Sequence, residues 1–458
     1  MNQLPENLLA ELRLQQGFDE IAFLLAHQQL PNTSIRLNPK KKTAIAPLSE
    51  GEGLGMRSKI AWCENGFYLK ARPSFTYDPL FHAGCYYVQE ASSMFLEFVL
   101  KQSVDLSQSL KVLDLCAAPG GKSTLVASLL NENSLLVSNE VIKNRATILK
   151  ENLVKWGSEN VLVTNNDPKH FERLENYFDV LVIDAPCSGS GLFRKEPNYL
   201  NEWNENLVSL CNQRQQRILA DVWKCLKPNG VLIYSTCSFS ESENEEIADW
   251  MVDELQAENI SINAPTEWNI VTTKSKKHKA QGFRFYPHLV QGEGFFCCAM
   301  RKQNADFEKP RLKKSKQKTS TINKSILSNW LTAIDAYEFQ QKNEFVIAQP
   351  KSLIGEMEFI SGKLNVIKSG INIGQLTHKD LIPDHELAMS NLLSDKIQKV
   401  ELNFEQAIQY LKKEEIKNFE SNFVGWTLMQ YQHQNLGWAK VLSNRINNYY
   451  PMNGRILK

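Results

Sequence analysis

Two cysteines follow aliphatic runs that read as strands. Cys187 comes after DVLVIDA, with Asp184 three positions before it, and Cys237 comes after GVLIYST. In an open α/β sheet, residues just beyond the carboxyl ends of parallel strands line the ligand site. A thiolate can add to carbon 6 of a cytosine ring while an acid meets the charge that develops at ring nitrogen 3, which activates carbon 5 for methylation. The pattern therefore predicts Cys237 as nucleophile, Asp184 as acid and Cys187 as a thiol that assists release.

Other interpretations of these cysteines stay open. A free cysteine is most often a small buried hydrophobic residue, and this applies to Cys116, Cys187 and Cys237 alike. No histidine lies near either of the two thiols in the sequence, so no metal site is expected. Beyond Cys237, Ser240 and Glu243 have capping-box spacing, which predicts that a helix begins there.

The segment KVLDLCAAPGGKSTL, from Lys111 to Leu125, has the pattern of a strand, a Pro-Gly-Gly turn and a helix start. Backbone N–H groups at such a helix start can hold an anion, and Gly120 and Gly121 allow a ligand to approach closely. Glu140 ends the next strand, where nucleotide-binding sheets place the acid that binds a ribose diol. These features predict a nucleoside cofactor that carries a carboxylate.

A phosphate loop is the competing interpretation of the same segment. Gly121, Lys122 and Ser123 match the second half of the pattern G-x-x-x-x-G-K-[ST], but Cys116 stands where the leading glycine is required. A side chain at that position would obstruct a loop that wraps a triphosphate. An ATPase of RNA metabolism therefore remains an alternative on this segment alone.

These residues need a parallel sheet to bring them together. From Val112 onward the aliphatic runs KVLDL, LLVSN, NVLVT, DVLVIDA and GVLIYST alternate with longer amphipathic stretches, and FFCCAM follows as a late strand. Parallel neighbours need crossover helices, so this order predicts an α/β fold. We predict an N-terminal α+β, RNA-binding region over 1–80, a catalytic domain over 81–302, a basic linker over 303–324 and a C-terminal domain over 325–458.

The composition fits a cytosolic globular enzyme. The chain has 458 residues, of which 42% are hydrophobic and 22% charged, enough for a sizeable core. It shows neither a signal-like start nor an apolar stretch long enough to span a bilayer. Its nine cysteines lack the spacing of a disulfide framework, and a net charge of +1 does not by itself indicate a nucleic-acid partner.

At its motifs the chain resembles the NOL1/NOP2/Sun family of RNA cytosine-5 methyltransferases, and within it the bacterial 16S rRNA enzymes. LDLCAAPGGKST is similar to the family's cofactor loop, DAPCSGSG to its aspartate-proline-cysteine motif and YSTCSFSESENE to its threonine-cysteine motif, in the family's order. HAGCYYVQEASSM resembles the segment before the cofactor loop. The resemblance covers about residues 30–302 and, more weakly, 425–456.

The resemblance implies a class I, Rossmann-like, seven-stranded fold that uses S-adenosylmethionine to methylate carbon 5 of a cytosine in RNA, with 16S rRNA as the expected substrate. Cys237 would bond to carbon 6 and Cys187 would be the release cysteine. The cofactor loop would hold the methionine part, Glu140 the ribose and Asp167 the adenine end, although an aspartate before Pro168 also suits a simple turn. The implied cofactor-binding residues are Cys116, Ala117, Ala118, Pro119, Gly120, Gly121, Lys122, Glu140, Arg145, Asp167 and Asp184.

Contacts to RNA are expected at local basic clusters. Lys40–Lys42, Lys274–Lys279 and the linker lysines could neutralise phosphates, although charge runs are often only solvated loops. The terminal segment resembles a PUA-like, β-rich RNA-binding module, in which Trp426 and Trp438 are expected in the core. Cations and aromatic residues suited to phosphate contacts and base stacking are Lys440, Arg445, Asn448, Tyr449 and Arg455.

Three functions are therefore compatible with the residues. The methyltransferase is preferred and predicts methyl transfer to RNA cytosines that depends on Cys237. The ATPase predicts stabilisation by ATP instead of S-adenosylmethionine. A catalytically silent assembly factor that binds ribosomal RNA predicts binding without methyl transfer. A cytoplasmic monomer is the expected state in each case.

Overall fold

The computed structural model describes residues 4–41, 56–304, 322, 324–377, 380–417, 419 and 424–457. Strands within these ranges form four sheets. No helix in the described part of the chain is long and apolar enough to cross a membrane. Most of the predicted linker, 303–324, lies outside the described residues, and its basic side chains are therefore not placed.

The N-terminal part combines short helices with a four-stranded antiparallel sheet. The helices are α1 (Glu6–Leu12), α2 (Glu20–His27) and α3 (Pro79–His82), and the strands are β1 (Ser34–Leu37), β2 (Met56–Lys59), β3 (Gly66–Leu69) and β4 (Tyr86–Val88). The order is β2-β3-β1-β4, and the mixture of helices and strands agrees with the α+β character predicted for this region. Because β4 pairs with β1, this sheet extends past the domain boundary predicted at residue 80.

The central sheet carries the candidate site. Its strands are β5 (Lys111–Asp114), β6 (Leu135–Asn139), β7 (Val161–Thr164), β8 (Phe178–Asp184), β9 (Leu226–Thr236), β10 (Ala257–Asn259), β11 (Val271–Lys274), β12 (Gln281–Phe285) and β13 (Phe295–Lys302). The helices around it are α4 (Leu96–Ser103), α5 (Gly121–Leu129), α6 (Lys143–Trp156), α7 (Asn198–Glu202), α8 (Glu205–Trp223) and α9 (Glu245–Leu255). The six strands predicted from the aliphatic runs are all present.

Seven strands form the core of this sheet in the order β12-β13-β9-β8-β5-β6-β7. Strands β5 to β9 are parallel, and β13 is antiparallel to both of its neighbours. This arrangement confirms the predicted seven-stranded class I fold. Three further strands extend it: β11 pairs with β12, β10 pairs with β13, and β16 (Val366–Ser369) pairs antiparallel with β7 at the far edge.

Packing on both faces explains why the parallel strands read as unbroken aliphatic runs. Val112 and Leu136 pack into one hydrophobic cluster with α4, α5 and α6. Leu113 and Val137, the next residues along each strand, pack into a second cluster with α8 and α9. Because a parallel sheet is covered on both sides, its strands show no alternation of apolar and polar residues.

The C-terminal part contains two more four-stranded sheets, with orders β14-β15-β17-β18 and β19-β20-β21-β22. Their strands are β14 (Tyr337–Lys342), β15 (Phe345–Pro350), β17 (Ile371–Leu376), β18 (Leu381–Pro383), β19 (Lys399–Glu401), β20 (Gly425–Tyr431), β21 (Gln434–Val441) and β22 (Ile446–Asn448). The helices are α10 (Lys324–Leu327), α11 (Ile354–Ser361), α12 (His385–Met389) and α13 (Phe404–Lys412). Trp438 is buried, as expected, whereas Trp426 is only partly buried at the edge of the core.

The two ends of the chain share one hydrophobic core. Ile35 and Leu80 of the N-terminal part belong to the same buried cluster as Met429 and Leu436 of the terminal sheet. In addition, His82 Nδ1 and the Tyr450 hydroxyl are hydrogen-bonded at 3.2 Å. The terminal module is therefore fixed against the N-terminal sheet, although the two segments are more than 300 residues apart in sequence.

Candidate active site

A cavity of about 430 Å³ lies beyond the carboxyl ends of β5, β6, β7, β8 and β9. This is the position at which open α/β sheets bind ligands. Among the predicted residues, those that line the cavity are Cys116, Ala118, Glu140, Arg145, Asp167, Asp184, Cys187 and Cys237. The remaining predicted residues lie in the loop after β5 and in the first turn of α5 but do not line the cavity: Ala117, Pro119, Gly120, Gly121 and Lys122.

Cys187 and Cys237 meet in this cavity. Strands β8 and β9 are parallel neighbours, with Asp184 opposite Ser235, so the residues that follow the two strands are adjacent. The two Sγ atoms lie 3.1 Å apart, which is hydrogen-bonding distance. The hydrogen bond with Cys237, together with burial, raises the pKa of the Cys187 thiol well above its ordinary value. Cys187 therefore keeps its proton and can donate it in a hydrogen bond to the Cys237 sulfur.

The Asp184 carboxylate is held by two groups. Its Oδ1 accepts a hydrogen bond from Ser235 Oγ at 2.8 Å, and its Oδ2 forms an ion pair with Lys122 Nζ at 2.8 Å. Burial acts to lower the pKa of Lys122, but the Asp184 carboxylate outweighs it and the pKa lies above its ordinary value. Lys122 is therefore an ammonium directed at Asp184, whereas the resemblance implied a place for it around the methionine part of a cofactor.

One arginine links the predicted ribose acid to the cofactor loop. Glu140 Oε1 accepts a hydrogen bond from Ile142 N at 2.9 Å, and its Oε2 lies 3.4 Å from Arg145 Nη1. Arg145 Nη2 donates to the Ala118 carbonyl at 2.9 Å. The positions of the acid and of the loop are thereby coupled through Arg145.

Asp167 satisfies both interpretations of its sequence context. Its Oδ1 accepts a hydrogen bond from Lys169 N at 3.0 Å and so caps the 3₁₀ turn Pro168–Leu174. The residue also lines the cavity. A turn aspartate and a ligand-facing aspartate are therefore compatible roles at this position.

The buried carboxylate of Glu243 joins the two loops that carry the cysteines. It accepts hydrogen bonds from Ser188 N at 2.9 Å, from Ser188 Oγ at 2.5 Å and from Ser238 Oγ at 2.5 Å. Gln215 Nε2 adds a bond at 3.1 Å. Because Ser188 follows Cys187 and Ser238 follows Cys237, this one carboxylate fixes both thiols relative to each other.

The predicted capping box after Cys237 is therefore wrong. Ser240 precedes a 3₁₀ turn at Glu241–Glu243 and makes no side-chain cap, and helix α9 begins only at Glu245. The Glu243 side chain turns inward to the serine hydroxyls instead of back to the Ser240 backbone. The buried donors of Ser188 and Ser238 determine its direction, because they need an acceptor in the interior.

Replacing Glu243 with alanine is expected to lower the free energy of unfolding by about 3 kcal/mol, because the buried donors of Ser188, Ser238 and Gln215 lose their acceptor. Urea denaturation followed by circular dichroism measures the stability change. An alanine variant as stable as the wild type would contradict this role.

The matched variant Glu243→Gln tests the charge on this group. Burial raises the pKa of Glu243, although hydrogen bonds from Ser188 and Ser238 oppose the rise. The folded protein then binds this proton more tightly than the unfolded chain does. The group's contribution to stability is therefore largest at low pH and falls as pH rises through the raised pKa. Glu243→Gln should be less destabilised than Glu243→Ala and should lose this part of the pH dependence.

Among the cavity residues that were not predicted from the sequence are one aromatic and two cationic side chains. Tyr199 on α7 and Arg214 and Arg217 on α8 line the cavity, and Tyr199 is 39% exposed. A side chain at Gly189, where φ is +75°, would come within 2.9 Å of the Tyr199 ring, so this glycine lets the ring lie against the loop that carries Cys187. The sequence signal that could have identified the two arginines is their i, i+3 spacing, which places both on one face of the helix that follows the Cys187 motif.

The residues present fit an adenosine cofactor with a methionine part. Helix α5 begins at Gly121 after Gly120, which adopts a φ of 118°, so the first helical N–H groups adjoin the loop at the cavity. A carboxylate for a ribose diol is present at Glu140. The cavity volume of about 430 Å³ is in the range of small-molecule sites. Within the described ranges, no group of three metal-ligating side chains is arranged to hold an ion.

The basic clusters predicted to contact RNA are partly engaged in the fold. Lys41 Nζ donates to the carbonyls of Ala83 and Lys155, and Lys42 lies outside the described residues. In the Lys274–Lys279 run, Lys276 and Lys277 pair with carboxylates of the same domain. Lys41 is therefore a structural contact. The Lys276 and Lys277 side chains are exposed, so RNA phosphates could replace the carboxylates as their partners.

The terminal module presents most of its predicted residues to solvent. Tyr449 is 43% exposed, and its ring centre lies 4.5 Å from that of Trp426. Lys440 Nζ lies 5.3 Å from the Trp426 ring. Arg445 and Asn448 line a second cavity of about 830 Å³, and Arg455 is exposed. Lys440 and Asn448 are partly buried, and the Asn448 amide is hydrogen-bonded within the module to Tyr410 O and Tyr450 N. Contact of these side chains with RNA stays a prediction.

Three family models match successive parts of the chain. Residues 4–91 match the N-terminal domain of 16S rRNA methyltransferase RsmF. Residues 102–301 match 16S rRNA methyltransferase RsmB/F, and residues 397–456 match the RsmF PUA domain. The matches follow the order of the three parts seen in the fold.

Curated relatives are similar over nearly the whole chain. A protein of Psychromonas ingrahamii named ribosomal RNA small subunit methyltransferase F is 30% identical, covering 94% of this chain and 92% of that protein. A protein of the same name from Shewanella woodyi is 31% identical, covering 91% and 89%.

Solved structures share the central fold. A methyltransferase homologue from Pyrococcus horikoshii is 27% identical with a TM-score of 0.52, covering 65% of this chain and all of that one. A structure of NSun6 from the same organism with SFG has a TM-score of 0.54 at 20% identity, covering 66% and 99%. The second likeness concerns the fold alone.

Proposed function

Because this chain belongs to the family of ribosomal RNA small subunit methyltransferase F, an S-adenosylmethionine-dependent family, we propose that it methylates carbon 5 of a cytosine in 16S rRNA through a covalent bond to Cys237. The observation that carries this proposal is the 3.1 Å contact between Cys237 and Cys187, in the same cavity as Asp184 and Glu140. A cavity with two adjacent thiols next to a carboxylate suits addition to a pyrimidine ring. The phosphate-loop alternative gains no support from the matched family.

Cys237 begins the reaction. Its thiolate forms a bond to carbon 6 of cytosine, and the displaced electron pair moves through the ring toward carbon 5 and nitrogen 3. In its protonated form Asp184 donates a hydrogen bond to nitrogen 3 as negative charge develops there, and the Lys122 ammonium, 2.8 Å from the carboxyl group, adds positive charge beside the ring. The loop before α5, together with Glu140 and Asp167, would hold S-adenosylmethionine, which would supply the methyl group that carbon 5 takes up and would leave as S-adenosylhomocysteine.

Cys187 acts at release. Carbon 5 gives its proton to a water molecule, and the electron pair re-forms the ring double bond as the bond between Cys237 Sγ and carbon 6 breaks. The departing sulfur is then a thiolate. Because Cys187 retains its proton and lies 3.1 Å away, its S–H can donate a hydrogen bond that stabilises this leaving group.

RNA binding involves the flanking parts of the chain. A cytosine inside a stack cannot place carbon 6 against Cys237, so the target nucleotide is unpaired or rotated out of its helix. We assign the terminal module, through Lys440, Arg445 and Tyr449, and the N-terminal region to contacts with the surrounding RNA. The divisions at residues 302 and 324 and a monomeric state remain part of this proposal, whereas the N-terminal region extends past residue 80 to include β4.

Methyl transfer from labelled S-adenosylmethionine tests the proposed function. The substrates are small ribosomal subunits and naked 16S rRNA prepared from cells that lack the gene. We expect stoichiometric incorporation at a defined cytosine, read out as a position protected in bisulfite sequencing. Incorporation into another base, or RNA binding with no incorporation into either substrate, would contradict the proposal, and the second result would favour an assembly factor.

A further inference from the structure

Arg36 extends from the N-terminal sheet into the catalytic domain. It lies on β1 and is only 1% exposed. Its Nη2 donates to the Gly121 carbonyl at 3.2 Å and to Thr124 Oγ1 at 2.6 Å, and its Nε donates to Gln89 Oε1 at 2.9 Å. Gly121 and Thr124 form the first turn of α5, directly after the cofactor loop. Arg36 therefore contacts the element expected to hold the methionine part of the cofactor.

The charge of Arg36 has no partner of opposite sign in the described part of the chain. The two other deeply buried arginines differ in this respect, because Arg194 pairs with Glu293 and Arg284 pairs with Glu245. Every hydrogen-bond acceptor of Arg36 is neutral. Glu97 acts on it electrostatically but forms its own ion pair with Lys101 at 2.6 Å.

Four hydrogen bonds and the face of the Trp156 ring, 4.7 Å from the guanidinium carbon, stabilise this charge in the interior, but none of these groups neutralises it. Burial lowers the pKa of Arg36 to about 10, which still leaves the group positive at neutral pH. A buried cation needs either a counter-charge or a dense set of hydrogen bonds. The N-terminus of α5 adjoins both Arg36 and the cavity, and a helix N-terminus favours anions. The anionic group that the proposed cofactor brings to this turn is the α-carboxylate of its methionine part.

We propose that Arg36 is a positioning residue that provides the counter-charge for the cofactor's α-carboxylate. Through the Gly121 carbonyl and the Thr124 hydroxyl it fixes the first turn of α5, so that the N–H groups of this turn remain directed at the carboxylate. Its own charge adds attraction at short range in a region from which water is excluded. The N-terminal domain thereby contributes to cofactor affinity as well as to RNA binding. This inference rests on cofactor binding at the α5 loop and is independent of the cytosine chemistry.

Two ligands separate this role from a merely structural one. S-adenosylhomocysteine carries the α-carboxylate, whereas 5′-methylthioadenosine lacks the whole amino-acid part. Isothermal titration of the full chain should show that Arg36→Met raises the Kd for S-adenosylhomocysteine about 10-fold, equivalent to about 1.4 kcal/mol. The Kd for 5′-methylthioadenosine should change by less than about 2-fold, because only the carboxylate responds to the lost charge. Arg36→Lys, which keeps the charge, should give an intermediate Kd for S-adenosylhomocysteine.

Asn38 supplies the matched control. It is buried on the turn that follows the same strand, and its Nδ2 donates to the carbonyls of Gly84 and Trp156, away from α5. Asn38→Ala should lower the melting temperature and leave both Kd values unchanged. Should Arg36→Met fail to fold, Thr124→Val serves as the second variant, because it removes one hydrogen bond of Arg36. It should raise the Kd for S-adenosylhomocysteine about 3-fold and leave the Kd for 5′-methylthioadenosine unchanged, since a neutral hydrogen bond contributes less than a charge.

The outcomes are distinguishable. If Arg36→Met raised the Kd for both ligands equally, or raised neither, the proposed role of Arg36 would be overturned. If the wild-type protein bound neither ligand, the cofactor site itself would be misassigned. Loss of methyl transfer to RNA with normal binding of both ligands would leave the Arg36 inference unaffected and would count against the cytosine chemistry.

Discussion

Replacing Cys237 with alanine is expected to reduce methyl transfer by at least about 1000-fold, because it removes the sulfur that forms the bond to carbon 6 and the raised pKa of the neighbouring Cys187 keeps that thiol protonated. The variant should remain folded, since alanine removes only one sulfur atom at the cavity wall. Its affinity for S-adenosylhomocysteine should also be retained, because the cofactor loop and Glu140 are untouched. Single-turnover transfer of a labelled methyl group to RNA measures the loss.

Cys225 is the matched control for this substitution. It lies just before β9, whereas Cys237 follows the same strand, and it is fully buried. Cys225→Ala should cost some stability through the small cavity that it leaves. Its rate of methyl transfer should stay within a few-fold of the wild type. If Cys237→Ala retained a rate comparable to Cys225→Ala, a non-covalent mechanism would have to replace the one proposed.

Replacing Cys187 with alanine is expected to trap the enzyme on its RNA. The leaving thiolate of Cys237 would lose the S–H donor that lies 3.1 Å away, so the bond to carbon 6 would break more slowly. Addition and methyl transfer should proceed, since Cys187 takes no part in them. A covalent protein–RNA species should therefore accumulate to near the amount of enzyme on a denaturing gel, with turnover reduced by about 100-fold or more.

Two further variants make the Cys187 prediction specific. Cys187→Ser restores a hydrogen-bond donor and should release product faster than Cys187→Ala. The double variant Cys187→Ala/Cys237→Ala should form no adduct, because the nucleophile is absent. An adduct that persists in the double variant, or no adduct in Cys187→Ala with RNA and cofactor present, would contradict the assigned roles.

The central sheet could be predicted because its parallel strands are buried on both faces. Runs such as VLVT and DVLVID have no polar face, and the intervening helices keep their spacing regular. β10 and β16 could not be predicted, since each is a short edge strand with polar residues. β16 in particular joins the central sheet from a segment about 200 residues after its partner β7, and no local pattern records such a pairing.

The candidate site, too, was predictable where it follows from strand order and not where it depends on tertiary contacts. Adjacency of Cys187 and Cys237 followed from their places after neighbouring strands. Their 3.1 Å separation did not, because it depends on how Glu243 holds both loops from inside. The capping-box spacing of Ser240 and Glu243 pointed to a helix start, but the buried serine donors compete for the same carboxylate and determine its direction.

The residues missed by sequence reasoning act through tertiary contacts. Arg36 lies on a strand of another domain, and its partners on α5 lie far along the chain. Lys41, which was predicted to contact RNA, donates instead to the Ala83 carbonyl after α3 and to the Lys155 carbonyl in the last turn of α6. Tyr199 lines the cavity from a short helix without any motif of its own. A basic residue near a sequence start resembles a surface cation until the fold shows it buried against backbone carbonyls.

Covalent trapping with RNA that contains 5-fluorocytidine at the target position tests the mechanism most directly. Fluorine at carbon 5 cannot be removed as a proton is, so the bond to the enzyme should not break after methyl transfer. We predict a complex that survives denaturation, forms only with S-adenosylmethionine present and maps by mass spectrometry to a peptide modified at Cys237. Absence of a complex despite cofactor and RNA binding, or attachment at Cys187 instead, would contradict the account.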